Sequence, residues 1–303
     1  MHEKVFTAVG NTPLVRINFD SPAALYAKLE YMNPGGSLKD RTALYMIEQA
    51  EKSGRLKPGY TIIDASSGNQ GIAIAMVGAA KGYKVIITTT QKCSQEKLQT
   101  LKAFGAEVVV CPYVDRMDNP DSYHSVALRM AKENPKSYMP NQYMNVENAE
   151  AHFHCTGPEI WGQTEGKITH FFAAAGTCGM VSGVGKFLKG KNKDIKIIAF
   201  DTANSYYSTK GNPKPYKIEG MGIDFDTPVL YKEFIDEILP VSDDEAFGAI
   251  GPIAAKYGIL GGLSSGAVAF GAGKYAAAKM KKGDLGVMIF GDSGRAYLSK
   301  LKF

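Results

Sequence analysis

The sequence lacks both a long apolar run and a dense set of cysteines. An α-helix needs about 20 mostly apolar residues to cross a bilayer, and polar residues interrupt every apolar run before that length. Residues 1–14 also lack the apolar centre of a signal peptide. The four cysteines show no metal-ligand spacing and no paired framework: Cys93, Cys111, Cys155 and Cys178. We therefore expect a cytoplasmic protein with reduced thiols, no membrane partner and no bound metal ion.

The sequence also lacks a concentrated basic surface, although its net charge is +5. Its densest lysine runs, KGKNKDIK (189–196) and KMKKGD (279–284), are short and lie where helices are predicted to end. Aromatic side chains do not alternate with these lysines, as they would on a surface that stacks nucleic-acid bases. The charge pattern is typical of solvated helix ends, and we expect no nucleic-acid partner.

Strand-like apolar runs alternate with helical segments along the chain. The predicted strands are YTIIDAS (60–66), YKVIITTT (83–90), AEVVVCP (106–112), ITHFFAAA (168–175), IKIIAFD (195–201) and LGVMIFGD (285–292). Runs rich in Val and Ile, with helices between them, indicate parallel strands that are covered on both faces. Ser94 is the predicted N-cap of a helix that ends near Gly105, and Ser242 forms a predicted capping box with Glu245. The sequence thus predicts an α/β fold with two doubly wound α/β domains.

The stretch NPGGSLKDR (33–41) places Lys39 behind a proline–glycine turn, at the start of a predicted helix. The N-terminal end of a helix carries a partial positive charge, which disfavours a cation there. We therefore expect a lowered pKa for the Lys39 amine. Because a partly neutral amine is what a lysine needs to form a Schiff base with an aldehyde, the position of Lys39 predicts covalent chemistry.

Three polar loops add to this prediction. GTCGM (176–180) follows a strand and opens a helix, so its N–H groups and the helix dipole suit a phosphate. SSGNQ (66–70) gathers hydroxyl, amide and N–H groups that suit an amino-acid carboxylate. Each loop alone could be a simple turn or helix cap, and so could the serines of GLSSGA (262–267). Combined with Lys39, the loops predict pyridoxal 5'-phosphate as cofactor. The patterns G-x-G-x-x-G and G-K-[ST] are absent, so a nucleotide-dependent dehydrogenase is not favoured.

These motifs, together with TGPEIW (156–161) and EGMGIDF (219–225), resemble those of the fold-type II pyridoxal-phosphate enzymes, which share the tryptophan synthase β-like fold. Within that fold the sequence is similar to the cysteine synthase and cystathionine β-synthase family over almost its whole length. The resemblance implies a homodimer and two α/β domains with the active site and the cofactor in the cleft between them. The smaller, mobile domain would comprise residues 1–12 and 35–144, and the larger domain would comprise residues 13–34 and 145–303.

The resemblance also implies roles for single residues. Lys39 would hold the cofactor aldehyde and then remove the substrate Cα proton. Asn69 would bond the ring oxygen of the cofactor, and Ser264 would face its pyridine nitrogen. The phosphate would be held by Gly176, Thr177, Cys178, Gly179 and Met180. The substrate would be surrounded by Ser66, Ser67, Gly68, Asn69, Gln70, Gln142 and Gly220.

The contact from Ser264 bears on the reaction type. A serine is too weak an acid to keep the pyridine nitrogen protonated, so the ring would be a mild electron sink. That favours loss of a β-substituent over transamination or racemisation. The expected activity is β-elimination and β-replacement on a 3-substituted L-alanine (O-acetylserine, cysteine or serine) through an α-aminoacrylate. Such a reaction would be similar to that of cysteine synthase and would belong to sulfur amino-acid metabolism.

Three motifs depart from the pattern of common cysteine synthases. Their phosphate loop reads GTGGT where this chain has Cys178 and Met180, and their carboxylate loop has a threonine at Gln70. GMGIDF resembles the acidic GYDF pattern of cystathionine β-synthases, so Asp224 could orient an amine or act as a base, although a surface aspartate is also possible. Asp226 is a weaker candidate. Asp224 therefore keeps open an L-cysteine-consuming lyase that produces hydrogen sulfide and adds water, homocysteine or another thiol.

A non-catalytic binding relative that has kept the fold is a second class of hypothesis. Retention of Lys39 and of all three polar loops argues against it. The histidines and the cysteine of HFHC (152–155) look metal-like, but residues i and i+2 of a helix do not share a face. The sequence therefore predicts an enzyme with small amino-acid substrates and no metal ion.

Overall fold

The chain forms two α/β units, each with its own sheet, in a computed structural model that describes residues 2–114 and 117–301. Of the described residues, 2–9 and 33–147 form the first unit, and 10–32 and 148–301 form the second. The α/β class predicted from the sequence is confirmed, because strands and helices alternate in both units.

The regular elements have the following bounds. The strands are β1 (Leu14–Ile17), β2 (Ala24–Leu29), β3 (Thr61–Ala65), β4 (Lys84–Thr90), β5 (Glu107–Cys111), β6 (Ser137–Tyr138), β7 (His170–Ala174), β8 (Lys196–Thr202), β9 (Glu237–Val241) and β10 (Leu285–Phe290). The α-helices are α1 (Lys39–Lys52), α2 (Asn69–Lys81), α3 (Gln95–Ala103), α4 (Tyr123–Glu133), α5 (Glu147–Ala151), α6 (Gly157–Gln163), α7 (Gly179–Lys191), α8 (Asp243–Tyr257) and α9 (Leu263–Lys279). A π-helical segment, His152–Thr156, lies between α5 and α6.

The sheet of the first unit is fully parallel, in the order β5-β4-β3-β6. Alternate residues of a strand point to opposite faces. On one face Ile62 packs in a cluster with Ile74 of α2, and on the other Ile63 and Ile86 pack against Ala127 of α4. Helices therefore cover both faces, as the continuous Val/Ile runs of the sequence predict.

The sheet of the second unit has the order β1-β2-β10-β7-β8-β9 and is mixed. Strands β1 and β2 are antiparallel, with Leu14 opposite Lys28, whereas the other neighbours are parallel. The sequence did not predict this hairpin, whereas the strands that it did predict in this unit, β7, β8 and β10, are parallel as expected. Six residues join β1 to β2 (18–23), and a connection that short permits only antiparallel pairing, since a parallel crossover needs a dozen or more residues.

Local helix signals are confirmed where the sequence predicts them. The Ser94 hydroxyl accepts the N–H of Lys97 at 3.3 Å at the start of α3. At the start of α8, Ser242 and Glu245 make the reciprocal bonds of a capping box. These caps fix where the helices begin.

The HFHC segment differs from the α-helix on which its interpretation rested. It forms a π-helix in which His152 is buried, with Nδ1 2.9 Å from the Thr156 hydroxyl. His154 is exposed, and its Nε2 lies 3.5 Å from the Glu150 carboxylate. The two imidazoles therefore occupy different environments. Within the described part of the chain, no helix combines the length and the apolar character needed to cross a membrane.

Candidate active site

A hydrogen-bonded glycine turn precedes Lys39, which is the first residue of α1. Gly36 has a left-handed backbone (φ +85°), and its N–H donates to the Asn33 carbonyl at 2.9 Å. The buried Asp40 carboxylate accepts the N–H of Gly35 at 2.5 Å, so the helix is tied back to the turn. The structure thus places Lys39 at a helix N-terminus behind a glycine turn, as the sequence predicts.

The SSGNQ loop connects β3 to α2 in the same unit. The Ser66 hydroxyl accepts the N–H groups of Gly68 at 3.2 Å and Gly71 at 2.9 Å. Ser66 is buried, and its hydroxyl shapes the loop by accepting these backbone N–H groups, whereas Ser67 is exposed. Asn69 begins α2 and is partly exposed. Of the two serines, only Ser67 presents its side chain outward.

Gln70 links the start of α2 to the turn that carries Lys39. Its Oε1 accepts the Thr42 hydroxyl at 3.0 Å, and the same hydroxyl lies 3.1 Å from the Lys39 carbonyl oxygen. Gln70 is 1% exposed, and its Nε2 has no hydrogen-bond partner among residues 2–114 and 117–301. A buried amide donor without a protein partner is unusual and is consistent with a donor to a bound ligand.

Gln142 is buried in a turn that is hydrogen-bonded to a carboxylate of β3. The preceding residue, Asn141, is left-handed (φ +50°), and its N–H donates to Asp64 Oδ1 at 3.2 Å. Asp64 is 1% exposed on β3, and burial raises the pKa of its carboxyl to about 7, against the lowering effect of the Asn141 and Ala65 N–H groups. Asp64 therefore anchors the turn that presents Gln142.

In the second unit, the GTCGM loop joins β7 to α7. Cys178 has a left-handed backbone (φ +65°) directly before the first residue of α7, Gly179. Successive N–H groups in such a conformation converge into an anion-binding concavity. The first N–H groups of α7 also have no acceptor within the helix. The loop therefore has the backbone geometry of a phosphate cradle, with Thr177 and Met180 buried in it.

The loop at Gly220 and the start of α9 lie against this cradle. The N–H of Gly222 donates to the Ala175 carbonyl at 2.7 Å. A Cβ atom at Gly176 would lie 2.7 Å from the Gly220 carbonyl oxygen, and a Cβ at Gly220 would lie 3.6 Å from Ser264 Oγ. The approach at Gly176 leaves no room for a Cβ, whereas at Gly220 it is the left-handed backbone (φ +86°) that favours glycine. The Ser264 hydroxyl, the Gly220 turn and the cradle therefore lie side by side.

These residues fit pyridoxal phosphate by the chemistry of their donors. The cradle offers N–H groups to a phosphate, and Ser264 offers a hydroxyl that a pyridine nitrogen can pair with. The first unit offers the Lys39 amine for an aldehyde. Ser265, the neighbour of Ser264, is 1% exposed, and its hydroxyl has no partner among the described residues.

Asp224 lies in the same loop as Gly220 and is exposed. Its carboxylate accepts the Tyr216 hydroxyl at 3.3 Å. Asp226 accepts the Tyr207 hydroxyl at 2.9 Å and lies 3.6 Å from Lys232 Nζ, so its charge is partly offset by a cation. Both carboxylates are exposed and accept a tyrosine hydroxyl, and they differ in that Lys232 lies beside Asp226.

The sequence interpretation missed four residues that support these loops. They are Asp40, Thr42, Asp64 and Asn148, of which the last contacts Thr177. Asp64 had a signal, because a carboxylate inside the apolar run TIIDAS has to be accommodated in a core. Asn148 had none, since it lies 29 residues before the side chain that it contacts.

The family follows from comparison with known proteins. A family model described as "Pyridoxal-phosphate dependent enzyme" matches residues 5–292. The chain therefore belongs to the family of pyridoxal-phosphate dependent enzymes, and the resemblance indicated by the motifs is confirmed.

Similar proteins include a cystathionine beta-synthase, a cysteine synthase and a hydrogen sulfide-producing enzyme. The chain is 41% identical over 305 residues to a cystathionine beta-synthase from Apis mellifera, covering 98% of this chain and 60% of that protein. It is also 41% identical over 304 residues to a cysteine synthase from Staphylococcus aureus (strain Mu50 / ATCC 700699), covering 98% and 96%. The crystal structure of a hydrogen sulfide-producing enzyme from Fusobacterium nucleatum matches with a TM-score of 0.90 and 38% identity over 98% of both chains. The chain thus spans only about three-fifths of the first of these relatives.

Proposed function

We propose that this chain catalyses pyridoxal-phosphate-dependent β-elimination and β-replacement on a 3-substituted L-alanine in sulfur amino-acid metabolism. The observation that carries the proposal is Lys39 at the first position of α1, in a chain whose family uses this cofactor. The donors of the cradle and of Ser264 support it. The names of the relatives, cysteine synthase and cystathionine beta-synthase, agree with this reaction type.

In this proposal Lys39 would hold the cofactor aldehyde, and the 176–180 loop would hold its phosphate. Asn69 would bond the ring oxygen, and Ser264 would pair with the pyridine nitrogen. When bound, the cofactor supplies an electron sink for the bonds at the substrate Cα. Because Ser264 is a weak acid, that sink is mild, which favours loss of a β-substituent.

The protein residues then perform the proton transfers and hold the substrate. The Lys39 amine removes the proton from the substrate Cα, and the β-substituent leaves Cβ with the bonding electron pair. A nucleophile adds to Cβ, and Lys39 returns the proton to Cα. Ser67, the Gly68–Asn69 N–H groups, Gln70 and Gln142 bind the substrate carboxylate. The buried Nε2 of Gln70 is a donor suited to that anion.

A single comparison tests the proposed reaction and shows whether the chain makes cysteine or consumes it. Sulfide released from L-cysteine alone is measured beside cysteine formed from O-acetylserine and sulfide. We expect the synthetic reaction. A second candidate, a lyase that consumes L-cysteine and releases sulfide, is favoured by Asp224 and by the likeness to a hydrogen sulfide-producing enzyme. Absence of both products from cofactor-loaded protein would contradict β-replacement and support a binding relative.

Asp224→Asn should slow addition of the nucleophile more than loss of the β-substituent. Asparagine keeps the shape of the side chain but cannot accept a proton, and loss of a general base costs about 10²-fold or more. Rapid-mixing kinetics separates the two halves of the reaction. Asp226→Asn is the matched control, because it removes a neighbouring carboxylate that is already paired with Tyr207. Equal slowing of both halves in Asp224→Asn would show that its role is misassigned.

The assembly and location belong to the same proposal. We propose small amino-acid substrates and a cytoplasmic homodimer. Sedimentation equilibrium at two protein concentrations tests the dimer, and a monomer at both would contradict it.

A further inference from the structure

Asn148, on α5, contacts the phosphate cradle from outside the loop. Its Nδ2 donates to the Thr177 hydroxyl oxygen at 2.9 Å, and the two residues are only 1% and 8% exposed. We infer that Asn148 is a positioning residue that makes the Thr177 hydroxyl a hydrogen-bond donor toward the cofactor phosphate. The inference rests on the proposed function in one respect, namely that Thr177 binds the phosphate.

Helix packing fixes the place of Asn148. Gly179 and Gly183 lie one turn apart on α7, on the side that meets α5 and the π-helical segment. A Cβ at Gly179 would overlap Asn148 Oδ1, and a Cβ at Gly183 would overlap the Ala149 carbonyl oxygen and lie 2.9 Å from His152 Cβ. The two helices therefore approach each other at backbone distance. Because that approach is set by the helices and not by a flexible loop, the Asn148 amide is held in one place.

The direction of the hydrogen bond decides what Thr177 can do. A hydroxyl has one proton and two acceptor sites. Since the Asn148 N–H occupies an acceptor site, the Thr177 proton is not used in this contact and is available to another acceptor. Phosphate oxygens accept only, and hydrogen bonds to an ionised group are about twice as strong as neutral ones. Asn148 thereby adds one side-chain donor to the N–H groups of the cradle.

An aspartate at position 148 would reverse this arrangement with almost no change in shape. Its carboxylate can only accept, so the Thr177 hydroxyl would donate its hydrogen bond to the carboxylate and not to the phosphate. The carboxylate would also bring a negative charge near the phosphate. An alanine would remove the hydrogen bond to the Thr177 hydroxyl and would leave that hydroxyl free to donate in any direction. The expected order of cofactor affinity is therefore asparagine, then alanine, then aspartate.

The test compares the affinity of the full chain for pyridoxal phosphate and for pyridoxal, which lacks the phosphate. Cofactor is stripped, and each ligand is titrated back by absorbance into wild type, Asn148→Ala, Asn148→Asp, Thr177→Val and the double variant Asn148→Ala/Thr177→Val. We expect pyridoxal phosphate to bind about tenfold more weakly to Asn148→Ala and about 100-fold more weakly to Asn148→Asp. Affinity for pyridoxal should change less than about twofold. The ³¹P NMR shift of the bound phosphate should move in both variants.

The double variant separates positioning from a merely structural role. If Asn148 acts through Thr177, Asn148→Ala should add nothing to the loss caused by Thr177→Val. Independent, additive losses would overturn the inference, and so would equal weakening of pyridoxal and pyridoxal phosphate. This comparison does not need Asn148→Asp, so it stands even if that variant does not fold.

Failure of the inference and failure of the proposed site give different results. If Thr177→Val leaves the affinity for pyridoxal phosphate unchanged, the assignment of residues 176–180 to the phosphate is wrong. If Thr177→Val weakens binding and neither Asn148 variant does, only the role of Asn148 is wrong.

Discussion

Lys39→Ala should lower the turnover rate by about a thousandfold or more. Alanine has no amine to hold the cofactor aldehyde and no base to move the Cα proton, so both functions of the residue disappear together. Cysteine formation and sulfide release are measured on the purified variant after incubation with the cofactor. The visible absorption of the lysine-bound cofactor should be lost as well.

Helix α1 itself supplies the control for that variant. Lys52 lies at the opposite end of the same helix, and Lys52→Ala removes the same side chain far from the turn. We expect wild-type turnover from it. Lys39→Arg retains the positive charge but offers no neutral amine at neutral pH, so it should be as inactive as Lys39→Ala. Turnover by Lys39→Ala within tenfold of wild type would contradict the whole assignment.

The strands could be predicted from the sequence where burial on both faces leaves an apolar run in the sequence. Strands β3, β4, β7 and β8 are buried on both faces, so each reads as a continuous apolar run in the sequence. Two of the strands that sequence reasoning missed, β6 and β9, lack that signal. Strand β6 has only two residues, and β9 carries Pro240 at the edge of its sheet, where a missing N–H is tolerated.

The candidate site also has parts that the sequence reveals and parts that it does not. Loops that combine glycine with hydroxyl or amide residues after a strand could be found from local sequence, and so could Lys39. Their supports could not, because such contacts depend on how closely distant segments pack. The Thr42 hydroxyl meets Gln70 across 28 positions and the Asn141 N–H meets Asp64 across 77. No local pattern encodes a distance of that kind.

Asp64→Asn should change how the stability of the first unit depends on pH. Burial raises the pKa of the Asp64 carboxyl from 3.8 to about 7 in the folded protein. Between these values the folded chain keeps a proton that the unfolded chain releases. Wild-type stability therefore falls as pH rises through that window, and above about pH 7 the full loss remains but no longer changes with pH. Asparagine does not titrate, so the variant lacks this loss.

The expected signature is a slope and not a single value. The free energy of unfolding of Asp64→Asn, minus that of wild type, should rise by about 1.4 kcal/mol per pH unit from about pH 4.5 to 7 and then level off. The full range amounts to about 4 kcal/mol. Asparagine can still accept the Asn141 N–H through Oδ1, so the support of the turn survives the change. Any fixed cost of its buried amide shifts the curve without changing the slope.

Urea unfolding at pH 5, 6, 7 and 8 measures this difference, with amide protection in β3 and β4 reporting on the first unit alone. Asp121→Asn removes one negative charge from an exposed position of the same unit and is the matched control. If the difference curve of Asp64→Asn is as flat as that of the control, Asp64 ionises at the same pH in the folded and unfolded chain. The carboxylate would then be solvated in the native state, and it could not be the buried support that presents Gln142.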